Sequence, residues 1–136
     1  MNKNYFLIVL IFILSSSCFG DIVLIASKAS GIKSISKSEL VSIYSGRGKR
    51  IGSKSVKPVM LKGGDVHEAF CKIFLKRSPS SVSKIWKKLV FTGKASMIKT
   101  LSDEADMIRQ VSSHSEYLGY VDRKNINDDV VIVEVR

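Results

Sequence analysis

The chain has 136 residues, with 22 lysines and arginines against 12 aspartates and glutamates and a formal net charge of +10. A length of this order holds one hydrophobic core and excludes two. Such a charge draws anionic partners, yet the lysines are scattered with no aromatic platform between them, which argues against single-stranded nucleic acid.

The N-terminal segment stands apart from the rest. Lys3 precedes an apolar run from Tyr5 to Leu14, too short to span a bilayer and suited to the apolar region of a secretory signal. Cys18 and Gly20 occupy the two positions that a signal peptidase inspects. Residues 1–20 are therefore expected to be removed before Asp21, giving a periplasmic or secreted chain. A lipoprotein acylated on Cys18 is the lesser reading, because Ser15 stands where an aliphatic residue is expected. Export also counts against nucleic acid as a partner. Loss of Cys18 leaves Cys71 alone, so an internal disulfide is excluded. His67 and His114 lie far apart and set no zinc spacing. Neither a metal nor a cofactor is expected.

Ile22 to Ala26 is a β-branched apolar run that predicts a buried strand. After a polar loop from Ser27 to Gly31, Ser36 and Glu39 have the spacing of a capping box. They open a short helix with Leu40, Ile43 and Tyr44 on its apolar face and Gly46 placed to end it. Residues 46–57 are the most basic and glycine-rich stretch and read as a loop carrying Arg47, Lys49, Arg50 and Lys54. A second strand is expected from Pro58 to Leu61, with the proline at its start, where a missing N–H does least harm.

Gly63 and Gly64 follow. Asp65 is then expected to cap a helix with Glu68 at its third position and an apolar stripe of Val66, Ala69, Phe70, Ile73 and Phe74. Ser78 and Pro79 open the next helix as N-cap and first helical residue. Val82, Ile85, Trp86, Leu89 and Val90 form its stripe, while Lys84, Lys87 and Lys88 fall largely outside it. Thr92 and Gly93 end it. Ser102 is expected to cap a fourth helix, with Asp103 and Glu104 in the first turn, where the helix dipole favours negative charge. Leu118 to Val121 and Val130 to Val135 close the chain as strands. The order implies one α/β domain over residues 21–136, a small mixed β-sheet flanked by about four helices.

Four segments carry a resemblance: "SISKSELVSIYSGR" (34–47), "KPVMLKGGDVHEAFCKIFL" (57–75), "SPSSVSKIWKKLVFTGKA" (78–95) and "SEYLGYVD" (115–122). In order and spacing they are similar to the phosphate-binding-protein-like family, the periplasmic solute-binding components of phosphate ABC transporters and their short relatives. The family's full-length members close two α/β lobes over an anion, and this chain resembles the second lobe alone. The resemblance implies that a single periplasmic-binding-protein-like lobe offers the turn of Gly63, Gly64, Asp65, Val66 and His67 to phosphate or a similar small anion. In the family this turn carries hydroxyls and an arginine; here it has neither. A lone lobe implies weak binding, and a homodimer or a second protein would rebuild the cleft. An ABC permease or another envelope protein is the implied partner.

Each candidate also has a structural reading. The glycine turn serves as a capped strand-to-helix reversal or as a ligand seat. His67 is an exposed histidine with no task or a donor in place of the family's arginine. Cys71 reads as a buried inert thiol and Trp86 as core. Thr92 and Lys94 form a helix C-cap or a cleft rim. Ser27 and Ser30 offer hydroxyls near the hinge or belong to a polar connection. Arg47, Lys49, Arg50 and Lys54 form a solvated loop or a docking patch for an acidic partner or anionic lipid headgroups. No nucleophile elbow, no paired carboxylates and no phosphate loop ending in Gly-Lys-Ser/Thr occur, so the chain reads as a non-enzyme. The leading expectation is an exported solute-binding protein. The alternative is a ligand-free periplasmic adaptor or sensor-partner protein that binds another protein through its basic loop and open face.

Overall fold

The computed structural model describes residues 21–136; the expected signal segment, Cys18 included, lies outside the described residues. The strands are β1 (Ile22–Ser27), β2 (Ser34–Ile35), β3 (Arg50–Ile51), β4 (Lys54–Ser55), β5 (Lys57–Leu61), β6 (Lys99–Leu101), β7 (Tyr117–Asp122) and β8 (Val130–Val135). The helices are α1 (Lys37–Tyr44), α2 (Asp65–Phe70), α3 (Pro79–Phe91) and α4 (Glu104–Ser113). A π-helical turn, Cys71–Leu75, prolongs α2.

Six strands form one mixed sheet in the order β2-β8-β1-β7-β5-β6, and β3 and β4 form a separate hairpin. The uninterrupted apolar run of β1 is explained by its place: it pairs antiparallel with β7 on one side and β8 on the other, and all six of its residues are buried. β5 runs parallel to both β7 and β6. These three strands therefore end at the same edge of the sheet. There the turns at 62–64, 102–103 and 122–124 meet the beginning of β1, whose Ile22 pairs with Asp122. The opposite edge holds the start of β5, β6 and β7, the end of β1 at Ser27, and the β3–β4 hairpin.

Helices cover both faces. α4 packs on β7 and β1, and the approach is close: a Cβ on Gly119 would lie 2.6 Å from Met107 Sδ and 2.9 Å from Val111 Cγ2. Any larger residue there would have to push the Met107 and Val111 side chains aside. Tyr120 points to the other face, where its ring stacks on Phe70 at 3.8 Å and meets Tyr44 edge-on at 6.2 Å. Tyr44 in turn meets Phe70 edge-on at 4.9 Å, a packing mode worth about 0.5–1.5 kcal/mol beyond burial alone. The Tyr44 hydroxyl lies 3.1 Å from the Val59 carbonyl and 3.0 Å from that of Leu118, tying α1 to adjacent strands. α3 leans on the π-turn, and its Trp86 indole N–H donates to the Tyr44 carbonyl at 2.9 Å.

Most expected starts and stops are present. Ser36 and Glu39 form the reciprocal capping box, Ser78 accepts from the Ser81 N–H with Pro79 behind it, and Gly46 and Gly93 follow their helices at positive φ. Four expectations need correction. Asp103, not Ser102, caps α4, accepting from the Asp106 N–H at 2.8 Å. Gly64, not Asp65, is the N-cap of α2, so Asp65 is its first helical residue and Glu68 its fourth. Residues 46–57 are not all loop, because Gly52 at φ 57° lets Arg50–Ile51 turn back onto Lys54–Ser55. Two short strands were not expected at all: β2, which pairs with the last residues of β8, and β6, which pairs with β5.

Candidate functional site

The glycine turn lies at the C-terminal end of β5, where the backbone leaves the sheet and enters α2. Gly64 sits at φ 92°, a conformation that side-chain-bearing residues rarely adopt, and a Cβ on either glycine would meet nothing within 4 Å. The turn thus faces open space. The first bond of the helical ladder runs from the Glu68 N–H to the Gly64 carbonyl at 3.0 Å. The N–H groups of Asp65, Val66 and His67 precede that ladder, and no side chain caps them. A helix start in this state presents a partial positive charge and free donors, the elements of an anion seat.

The side chains around it pull the other way. An open depression of about 970 Å³ beside the turn is walled by Asp21, Asp65, Glu68 and Asp122, together with Lys72, Arg123 and Lys124. All three cations are already engaged. Arg123 Nε donates to Asp21 Oδ2 at 2.5 Å, and Lys124 Nζ lies 3.9 Å from Asp122 Oδ2. Glu104, in the first turn of α4, accepts the Asp122 N–H at 2.7 Å and the Asn125 amide at 3.0 Å, which fixes the 122–125 turn.

His67 departs from both readings the sequence allowed. It is buried, with 6% of its surface exposed, and turned inward rather than toward an anion. The Leu61 N–H donates to the Tyr120 hydroxyl oxygen at 3.0 Å, and that hydroxyl lies 2.5 Å from His67 Nδ1. Nδ1 is the acceptor within reach of the Tyr120 hydroxyl hydrogen, so Tyr120 donates a hydrogen bond to it, which assigns the imidazole as neutral with its hydrogen on Nε2. Burial agrees, holding the His67 pKa below its ordinary value and pushing Tyr120 and Tyr44 well above theirs. His67 therefore contributes its backbone N–H to the turn, and its ring braces the floor beneath. Cys71, one helical turn on, is fully buried, with Sγ 3.7 Å from His67 Nε2 and a thiol pushed up to about 11 by burial.

The other expected residues lie away from the turn. Ser27 and Ser30 are buried at the far end of β1. Their hydroxyls are consumed locally: Ser27 Oγ accepts from the Ala29 N–H, and Ser30 Oγ donates to the Ser27 carbonyl while accepting from Ile32 N–H. They offer nothing to a ligand at the glycine turn. Lys54 reaches the Ser30 carbonyl and Arg50 holds the Ser53 carbonyl, so these two basic side chains brace the hairpin, while Arg47 and Lys49 are exposed. Thr92 Oγ1 donates to the Lys88 carbonyl at 2.8 Å, a C-cap contact, and Lys94 is exposed beyond it. Residues 95–99 then lead to the start of β6, at the edge opposite the glycine turn. The structure thus brings together Gly63 to His67 and separates them from the other three groups.

Sequence reading missed Tyr120 and the Asp122–Glu104 pair. A tyrosine inside a buried strand was the available signal, since a buried hydroxyl requires a partner. Among the described residues no group of three His, Cys, Asp or Glu side chains is placed to hold a metal.

No family model matches the sequence, and no curated protein does. Solved structures do. An ABC-type phosphate transport receptor from Vibrio cholerae superposes with a TM-score of 0.66 at 11% identity, over 85% of this chain and 46% of that one. A protein from Clostridium perfringens described as a phosphate ABC transporter substrate-binding protein, solved with bound phosphate, gives 0.67 at 17% identity, over 85% and 44%. PstS from Borrelia burgdorferi gives 0.62 at 12%, over 85% and 47%. The chain thus shares the periplasmic-binding-protein fold and spans less than half the length of these structures.

Proposed function

We propose that the chain is an exported, non-enzymatic solute-binding protein that takes phosphate or a similar small anion at the uncapped start of α2. The observation that carries the reading is the backbone of the turn: the N–H groups of Asp65, Val66 and His67 without helical acceptors, behind two glycines that face open space, in a fold shared with phosphate transport receptors. Export rests on the apolar run and small residues of the first twenty positions. Tight sites enclose most of a ligand, so a depression this open binds weakly by itself. A second lobe, from another copy or from an envelope protein such as an ABC permease, supplies the missing wall.

Isothermal titration of the purified protein with phosphate, sulfate and acetate tests the reading. Millimolar-range heat for the inorganic anions, with an accompanying rise in melting temperature, is the expected result. The absence of both heat and a melting shift at tens of millimolar removes anion binding from the account. One observation favours a second reading: the carboxylates Asp21, Asp65, Glu68 and Asp122 beside the turn disfavour an anionic guest. In that reading the open face holds another protein, and a partner captured at low salt and released at high salt is its signature.

A further inference from the structure

Two cavities on the α3 side of the sheet share walls. The first is a slot of about 540 Å³ between α3 and the strands β5 and β6, walled by Met60, Val82, Trp86, Val90 and Ile98. This volume falls within the roughly 300–1,000 Å³ that small-ligand sites occupy. The second, of about 430 Å³, lies where β5 and β6 begin and is walled by Lys49, Lys57, Lys99 and Tyr117. Trp86, Met97 and Ile98 line both. Met97 is 80% exposed at the junction and Phe91 is 92% exposed along the slot, large apolar side chains that a soluble surface has reason to hide.

The charge of the second cavity is one-sided. No carboxylate lines either space, and among the described residues none of Lys49, Lys57 and Lys99 is ion-paired. Lys99 Nζ lies 5.8 Å from the centre of the Tyr117 ring, which holds it over the cavity wall. Glu116 is adjacent in sequence, but it meets Lys57 through its backbone carbonyl. Three unneutralised ammonium groups match a phosphate monoester, whose charge near −2 and three acceptor oxygens suit lysine as a point-charge donor.

The geometry points to a binding site for a single-chain anionic amphiphile, with its phosphate monoester among Lys49, Lys57 and Lys99 and its alkyl chain in the slot between α3 and β5–β6. The lysine-lined cavity lies at the opposite end of the sheet from the glycine turn, while the slot reaches back to Lys62 and His67 beside it; the proposal stands whether or not that turn takes an anion. Its apolar half distinguishes it from a simple phosphate site, and its lysines distinguish it from a nonspecific greasy patch.

Trp86 is the single tryptophan of the chain and lines both cavities, so its fluorescence reports occupancy directly. The experiment titrates the purified protein with dodecyl phosphate below its micellar concentration, with inorganic phosphate, and with the uncharged dodecyl maltoside. Dodecyl phosphate is expected to give a saturable change, and inorganic phosphate at millimolar concentration is expected neither to reproduce nor to displace it. The double variant Lys57→Glu/Lys99→Glu, at exposed positions, should weaken binding at least tenfold, and Met97→Glu should weaken it comparably. Circular dichroism of both variants checks that the fold is kept. No saturable change with dodecyl phosphate overturns the proposal. Equal binding of inorganic phosphate overturns the alkyl half, and equal binding of dodecyl maltoside or indifference to the lysine variant overturns the headgroup half.

Discussion

The two ends of the sheet attract anions by opposite means. At the glycine turn the attraction comes from backbone, the free N–H groups at the start of α2, and the neighbouring side chains are net repulsive. At the hairpin end the attraction comes from side chains, Lys49, Lys57 and Lys99, on a stretch where β5 and β6 begin. A backbone seat is fixed in direction and selects by geometry, whereas mobile ammonium groups select by charge and are readily screened. The difference teaches that net charge is a poor guide to where this chain would hold an anion. Its large positive balance is not focused on the turn that the fold makes available.

The two ends also differ in how they are held, by a buried hydroxyl bridge at one and exposed lysines at the other, and Tyr120 is where that difference is easiest to break. Its hydroxyl accepts from Leu61 N–H and bonds His67, joining β7, β5 and α2 beneath the turn. Tyr120→Phe leaves a buried backbone N–H without an acceptor, which costs about 1–3 kcal/mol. The denaturation midpoint should fall accordingly, while Lys57→Ala at the exposed end should shift stability by less than about 0.5 kcal/mol. Equal effects at the two positions would show that the hydroxyl bridge carries no stability.

Asp65→Asn sharpens the comparison from the other side. Removing a carboxylate at the first position of α2 relieves repulsion worth on the order of 1 kcal/mol at surface dielectric, so phosphate affinity should rise roughly fivefold. Titration calorimetry of the variant at low and high salt reads the gain. An unchanged affinity places the anion elsewhere than the turn.

A smaller effect belongs to His67. Burial holds its folded pKa below the unfolded value near 6.5, so the unfolded chain binds the extra proton first as pH falls. The stability associated with a neutral His67 is complete above the unfolded value and is lost as pH drops through it toward the folded value. Melting temperatures measured from pH 7.5 to 5.5 should decline with a slope of no more than one proton, and His67→Gln should flatten that slope. A decline that persists unchanged in His67→Gln assigns the proton to another group.

How much of this was legible depended on the range of the interactions. Signals that act within one turn of chain were read correctly, such as the Ser36–Glu39 box, the Ser78–Pro79 start and the paired-strand run of β8. The caps of α2 and α4 were misplaced by one residue because two adjacent residues compete for the same role. Ser102 and Asp103 both carry a suitable oxygen, and Gly64 can take a φ that Asp65 cannot easily adopt. The candidate site was legible as a glycine turn but not as an uncapped one, since that state depends on which residue the backbone chose. β2 and β6 are two- and three-residue edge strands whose pairing is set by the sheet and leaves almost no periodic trace. The inward turn of His67 depends on Tyr120, more than fifty positions away, and no local pattern announces it. The same holds for Ser27 and Ser30, whose separation from the glycine turn follows from the antiparallel pairing of β1 with β7.

The smallest expected effect tests whether Thr92 and Lys94 have any role beyond ending a helix. Thr92 donates to carbonyls of the last turn of α3, both groups are exposed, and Gly93 at φ 70° already turns the chain away. An exposed capping contact at this end of a helix contributes a few tenths of a kcal/mol, because water can take its place. Thr92→Val and Lys94→Ala should therefore each change stability by less than about 0.5 kcal/mol and leave phosphate titrations at the glycine turn untouched. The turn lies at the opposite edge of the sheet, so an effect of either variant on phosphate binding would require coupling through α3 or a ligand seat at the wrong end. Such an effect, with stability unchanged, would reverse the assignment of the two ends and move the small-anion seat to the lysine-lined edge.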